Sequence, residues 1–90
     1  MADNKTWGMY IGGEWVGSSG GKTEPNINPS TGETADYVQV GTREDADRAV
    51  QAAQKAYDEV WFDTPPKERS AMMLALADAM EKDAETLARL

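Results

Sequence analysis

NINPSTGE, residues 26–33, decides how the first half of this chain is read. Two asparagines, two hydroxyls, a proline and a glycine in one run suit either a phosphate-cradling loop or a tight turn. Pro29 presets φ for the second position of a type I turn. Gly32 can take the left-handed conformation that follows, and Asn28 can bond its own backbone further on. A phosphate loop normally opens a helix, whose dipole and free N–H groups favour an anion. Here the next stretch, ADYVQV at 35–40, reads as a strand. The turn reading is therefore adopted. It joins that strand to another at 22–27, which Pro25 confines to an edge or a bulge.

Upstream, MYIGGEWV (9–16) sets Gly12–Gly13 between β-formers, the pattern of a type I′ hairpin pairing 9–11 with 14–16. GSSGG (17–21) reads as a flexible link, and the polar residues 1–8 as a loose N-terminus. Downstream the character changes at Gly41. Thr42 suits an N-cap and Asp45 makes an imperfect capping box with it. Ala46, Ala49, Val50, Ala53, Ala56, Tyr57 and Val60 then recur at helical spacing, predicting an amphipathic helix over 42–59 with a buried, mostly alanine stripe. Trp61 and Phe62 anchor the connection. Thr64 is expected to cap a second helix over 65–81, with Pro65 at its first position. AMMLALA at its centre is apolar nearly all round, so more than one neighbour must cover it. Asp83 is expected to cap a third helix, AETLARL, which shows no stop signal before Leu90. The domain plan is a loose 1–8, a β-hairpin region at 9–40, and an incomplete helical region at 41–90.

Composition narrows the chemistry. There is no cysteine and no histidine, so disulfides, thiolates and the commonest general base are absent. A net charge of −7 argues against nucleic acid and anionic membrane surfaces as partners. That charge suits a high-salt source as well as an ordinary acidic enzyme. The start carries no apolar stretch, and the run Ala71–Ala77 is far shorter than the ~20 residues of a membrane span, so a soluble cytoplasmic protein is expected.

Each chemical candidate has a plainer structural role. Gly12–Gly13 serves a turn rather than a ligand, and Glu14 faces solvent on a short strand. Lys67, Glu68 and Arg69 form a solvated first helical turn rather than an anion site. Met72, Met73 and Met80 read as helical core rather than a pliable groove. Trp7, Trp15 and Trp61 read as packing anchors rather than stacking platforms. The pairs Glu44/Asp45 and Asp58/Glu59 point apart on a helix and make poor metal ligands. From the residues alone, the chain is a soluble α+β segment with no nucleophile–base pair, metal cluster or nucleotide fingerprint.

The order of the pieces adds more. The aromatic-Ile-x-Gly-x-Trp hairpin (Tyr10 to Trp15), the Asn-Pro-x-Thr-Gly-Glu turn (Asn28 to Glu33) and two alanine-rich helices joined through Trp61, with Arg69 opening the second, resemble the N-terminal segment of the aldehyde dehydrogenase superfamily. The resemblance covers nearly all of 9–90. Gly12 stands where the family often has Asn or Asp, and Met72 and Met73 where Leu or Ile is usual. It implies an α/β fold in which two hairpins and the first helices flank a Rossmann-like cofactor-binding domain, all of this chain being part of that domain.

The implied activity is NAD(P)+-dependent oxidation of an aldehyde to a carboxylic acid, through a cysteine thiolate and a glutamate-activated water. The implied cofactor is NAD or NADP, bound outside this chain. No catalytic or cofactor-binding residue is assigned here. The one implied site is a monovalent cation held by the main-chain oxygens of Asn26 and Ile27. The complete protein is expected to be a dimer or tetramer acting on an aldehyde, and the 90 residues alone to be inactive. The competing expectation is a free-standing, non-catalytic module that reuses the segment for packing or partner binding.

Overall fold

A computed structural model describes residues 5–90. The chain divides into two compact units, the first ending at Ala56 and the second running from Tyr57 to Leu90.

In the first unit, β1 (Thr6–Trp7), β5 (Thr34–Gln39) and β4 (Thr23–Ile27) form a three-stranded sheet in that order. β4 and β5 are antiparallel and joined by the 28–33 turn, with Asn26 opposite Asp36 and Ile27 opposite Thr34. That register leaves Ala35 as the extra residue of a β-bulge, beside the proline-bearing edge strand expected from Pro25. β2 (Met9–Ile11) and β3 (Glu14–Val16) form a separate hairpin, with Tyr10 opposite Trp15. Gly12 and Gly13 take φ of 62° and 83°, as a type I′ turn requires.

The stretch expected to be loose, 1–8, contains a paired strand. β1 runs parallel to β5, and the Tyr37 amide donates to the Lys5 carbonyl at 2.9 Å. The physical reason is Trp7, whose indole N–H donates to Asp36 Oδ2 at 2.6 Å and fixes β1 to the sheet. Residues 1–4 of that expectation lie outside the described residues.

α1 (Arg43–Glu59) begins in this unit, one residue inside the expected start. Its alanine stripe is not buried as expected. Ala49 is half-buried, while Ala46, Val50, Ala53, Ala56, Tyr57 and Val60 are exposed. Among the described residues no apolar side chain is fully buried, and the two buried side chains are the polar Asp45 and Thr64. The hairpin region is too small to lay a sheet across a helix of this length, so the stripe has little to pack on.

The second unit holds the end of α1, a 3-10 turn at Trp61–Asp63, α2 (Pro66–Lys82) and α3 (Ala84–Arg89). Two expected caps are absent. Pro65, not Thr64, precedes α2, Pro66 takes the first helical position, and no side chain caps the start. The Thr64 hydroxyl instead donates to the Val60 carbonyl at 2.7 Å, an oxygen that also accepts the Asp63 amide at 3.3 Å. Proline at the cap position itself has no side-chain oxygen to offer. Asp83 likewise makes no side-chain cap to α3. Its amide bonds back to Ala79 and Met80, so the chain passes from α2 to α3 with only a one-residue interruption. Tyr57 and Phe62 meet edge-on at 6.0 Å, and the Arg69 guanidinium lies 5.8 Å from the Trp61 ring centre.

Candidate functional site

The 28–33 turn is closed by its own bonds. The Asn28 amide donates to Glu33 O at 2.8 Å, and the Thr31 and Gly32 amides donate to Asn28 O at 3.3 and 2.8 Å. The Ser30 amide donates to Asn28 Oδ1 at 2.9 Å, and the Glu33 amide to Thr31 Oγ1 at 3.2 Å. Pro29 has no N–H. Every amide from Asn28 to Glu33 is therefore engaged, and none is left to cradle a phosphate.

Just before the turn, alternation along β4 separates the two carbonyls expected to hold a cation. Val40 donates to Lys22 O and Asn28 to Glu33 O, so even-numbered residues of β4 face β5. The Asn26 main chain accordingly faces β5, and that of Ile27 faces the open edge of the sheet. The Asn26 side chain is held as well, its Nδ2 donating to Asp36 Oδ1 at 3.0 Å. Asp36 thus accepts from Trp7 on β1 and from Asn26 on β4, one carboxylate spanning all three strands.

A second polar cluster lies where the 17–21 link meets α1. Asp45 is 2% exposed. Its Oδ2 accepts from the Thr42 amide at 2.9 Å and the Ser19 amide at 3.1 Å, and Ser18 Oγ approaches at 3.3 Å. The Asp45 amide returns a bond to Thr42 Oγ1 at 3.2 Å, completing the reciprocal box expected from the sequence. Arg48 closes the cluster as an ion pair with Asp45 Oδ1. These donors, the Thr42 amide foremost and the Ser19 amide and hydroxyl after it, hold the Asp45 carboxyl well below the usual carboxylate range against the opposing cost of burial.

Trp7 and Trp15, with ring centres 6.2 Å apart, line an open groove of about 280 Å³ with Lys5, Thr6 and Gly8. The Lys5 ammonium sits 3.9 Å over the Trp7 ring. Tyr10 packs edge-on against Trp15 at 5.0 Å. Trp7 and Trp15 touch one another, and Trp15 is 63% exposed, so it is less buried than the packing anchor expected of it. The other candidates stay dispersed: Glu14, Glu44, Lys67 and Glu68 are exposed. Among the described residues no group of three His, Cys, Asp or Glu side chains could hold a metal ion.

Sequence reasoning found half of Asp45, the cap, and missed its grip on Ser18 and Ser19. It missed Asp36 as well. The available signal was an aspartate inside a strand otherwise made of β-formers, where that residue is depleted.

Comparison with known proteins places these features. Residues 15–90 match the model of the aldehyde dehydrogenase family. The chain belongs to that family. It is 46% identical over 81 residues to malonate-semialdehyde dehydrogenase 1 of Geobacillus thermodenitrificans, covering 90% of this chain and 16% of the relative. It is 39% identical over 83 residues to aldehyde dehydrogenase (NAD(P)+) 1 of Saccharomyces cerevisiae, covering 92% of this chain and 16% of the relative. Among solved structures, betaine aldehyde dehydrogenase of Staphylococcus aureus in complex with NAD+ superposes with a TM-score of 0.84 at 38% identity, covering 92% of this chain and 17% of that one. This aldehyde dehydrogenase segment therefore spans about a sixth of the length of the relatives it matches. The resemblance drawn from the hairpin, the turn and the paired helices is borne out, as is the mixed helix-and-strand fold.

At the start of α1 the Asp45 carboxylate accepts the Thr42 amide, and α2 opens on Pro66, which has no N–H to offer.

Proposed function

We propose that this chain is the N-terminal portion of an NAD(P)+-dependent aldehyde dehydrogenase that oxidises an aldehyde to a carboxylic acid, and that it frames the catalytic apparatus without performing chemistry itself. The observation carrying this reading is the match of about nine-tenths of the chain to aldehyde dehydrogenases in both sequence and shape. The solved S. aureus relative holds NAD+, which supports a nicotinamide cofactor for the complete protein, with NADP as the alternative. The chain lacks the cysteine that the family chemistry uses, so the nucleophile falls to other residues.

The reading is tested by grafting. The S. aureus enzyme with its matched segment replaced by this chain keeps NAD+-dependent oxidation of betaine aldehyde, whereas the 90-residue chain alone generates no NADH. NADH production by the isolated chain, or a folded graft without activity, refutes the proposal.

Three finer readings accompany it. The complete protein is a cytoplasmic dimer or tetramer. No helix among the described residues is long and apolar enough to cross a membrane, which is compatible with that location. The third concerns Asn26 and Ile27, whose main-chain oxygens contribute to a monovalent-cation site. Neutral carbonyl oxygens suit a hard cation of low charge, and the Ile27 carbonyl faces the open edge of β4. Asn26 O faces β5 but has two lone pairs to share. An identical thermal midpoint of the graft in potassium, sodium and a bulky organic cation defeats this reading.

A further inference from the structure

The β2–β3 hairpin shares no ladder with the three-stranded sheet of its unit. A two-stranded hairpin alone is only marginally stable in water, so its order depends on what it is tied to. At its tip, Gly12 passes so near α1 that a Cβ there would lie 3.9 Å from the Ala52 Cβ. On its side, Trp15 meets the Trp7 ring. At its base, β3 runs into the 17–21 link, and there the polar bonds concentrate. The Ser18 amide donates to Gln39 Oε1 at 3.0 Å, the Ser18 hydroxyl to the Val40 carbonyl at 2.5 Å, and the Ser19 amide to Asp45. The link expected to be flexible is therefore pinned at both serines. Along α1, only Asp45, Ala49 and Ala52 escape full exposure, and their spacing of four and three positions puts them on one face. Asp45 and Ala52 are about 10 Å apart along the helix axis, and the three residues of β3 cover about the same length. The hairpin thus runs beside α1 from Asp45 at its base to Ala52 at its tip.

We propose that the β2–β3 hairpin is an arm that opens and closes against α1 as one unit, with Asp45 as its latch and Ser18 and Ser19 as the catch. Proteins open in cooperative pieces, and pieces with few ties open at the lowest cost. The buried Asp45 carboxylate grips the link through the Ser19 amide and the Ser18 hydroxyl, and grips α1 through the Thr42 amide. One side chain therefore holds the base of the arm to the start of the helix. When the two serines part from it and from Gln39 and Val40, only the tip and one ring contact remain, and the short ladder is lost as a block. The β4–β5 ladder keeps its order, because it is closed by its own turn at 28–33. Opening uncovers the Ala49–Ala52 face of α1.

The test is amide hydrogen exchange of the full 90-residue chain, native and as Ser18→Ala and Asp45→Asn. In the native chain the bonded amides of β2–β3 should share one opening constant, larger than that of the β4–β5 amides beside the 28–33 turn. Ser18→Ala removes the hydroxyl that reaches Val40 and Asp45 and leaves the Thr42–Asp45 box in place. It should raise opening of the β2–β3 amides together by about tenfold, with the β4–β5 amides within about threefold. Asp45→Asn keeps the size of the latch and removes its charge, and should raise β2–β3 opening by at least as much. A single opening constant for both ladders in the native chain, or β2–β3 amides with no protection at all, overturns the arm. Unchanged β2–β3 protection in both variants overturns the latch, and so do equal losses in the two ladders, which make Asp45 a support of the whole unit.

Discussion

Removing one hydroxyl, with Thr42→Ala, should loosen the start of α1 by a predictable amount. Thr42 Oγ1 accepts from the Asp45 amide at 3.2 Å and contacts Ser19 Oγ at 2.7 Å. Loss of an N-cap acceptor costs about 1 kcal/mol. The bond to Ser19 is exposed, so water replaces most of it, and the total stays within about 1–2 kcal/mol. Through the usual factor of ten per about 1.4 kcal/mol, that is roughly a five- to thirtyfold rise in local opening. Amide hydrogen exchange in the isotopically labelled chain reads it directly. Protection at Asp45 and Ala46 should fall by that factor, while amides of the β4–β5 ladder stay within about twofold, since distant sites are independent. Thr42→Ser keeps the acceptor and loses only a methyl, worth less than about 0.8 kcal/mol, so its exchange should stay within about fourfold of the native chain. Unchanged protection in Thr42→Ala shows that the Asp45 carboxylate alone holds the helix start, and refutes the reciprocal box as a source of stability. Equal damage from Ala and Ser shifts the role to the methyl, which lies close to Gly20.

Other perturbations separate the remaining features. Asp36→Ala should free the Trp7 indole and the Asn26 amide together, red-shifting tryptophan emission and exposing β1 to proteolysis; an unchanged spectrum argues that β1 is held by its backbone alone. Gly8→Ala should destabilise the first unit, because a Cβ there would sit 2.9 Å from the Val16 carbonyl oxygen, whereas Gly17→Ala, with nothing within 4 Å, should not. Equal thermal melts for the two would show that β2–β3 yields without cost. The Asp45 carboxyl titrates lower in the folded chain than unfolded, so its contribution is complete above the unfolded value near 3.9 and fades as pH falls below it. Asp45→Asn should therefore flatten the acid transition below about pH 4 as followed by α1 helicity. A transition of unchanged steepness assigns it to other carboxylates.

The legible parts were those governed by local rules. Gly12–Gly13, the 28–33 turn and the Thr42–Asp45 box each depend on a few adjacent residues, and each appears where the sequence put it. The helix bounds shifted by a residue because capping is set by which orphan groups need partners. Thr64 turned backward to the carbonyl four residues before it, a local pattern that competed with the forward cap expected. Long-range polar partners were illegible because only the fold brings them together. Trp7 and Asp36 are 29 residues apart, and only the fold brings a parallel β1 beside β5. The alanine stripe of α1 was correctly recognised as apolar, but periodicity says which face wants cover and not whether these residues supply it. The same holds for α2. For the cation site that the family resemblance implies at Asn26 and Ile27, only strand alternation reveals that the two carbonyls face opposite ways.

The self-closed turn at Asn28–Glu33 has a consequence in time. All its bonds join residues within six positions of each other, so closing it needs no long loop and no partner from elsewhere. A hairpin of this kind zips in about 1–10 μs. Short loop closure therefore predicts that β4 registers on β5, including the offset at Ala35, before β1 comes alongside β5 or α1 joins the Ser18–Ser19 link. On that expectation, order in this small segment spreads outward from a turn rather than inward to a core.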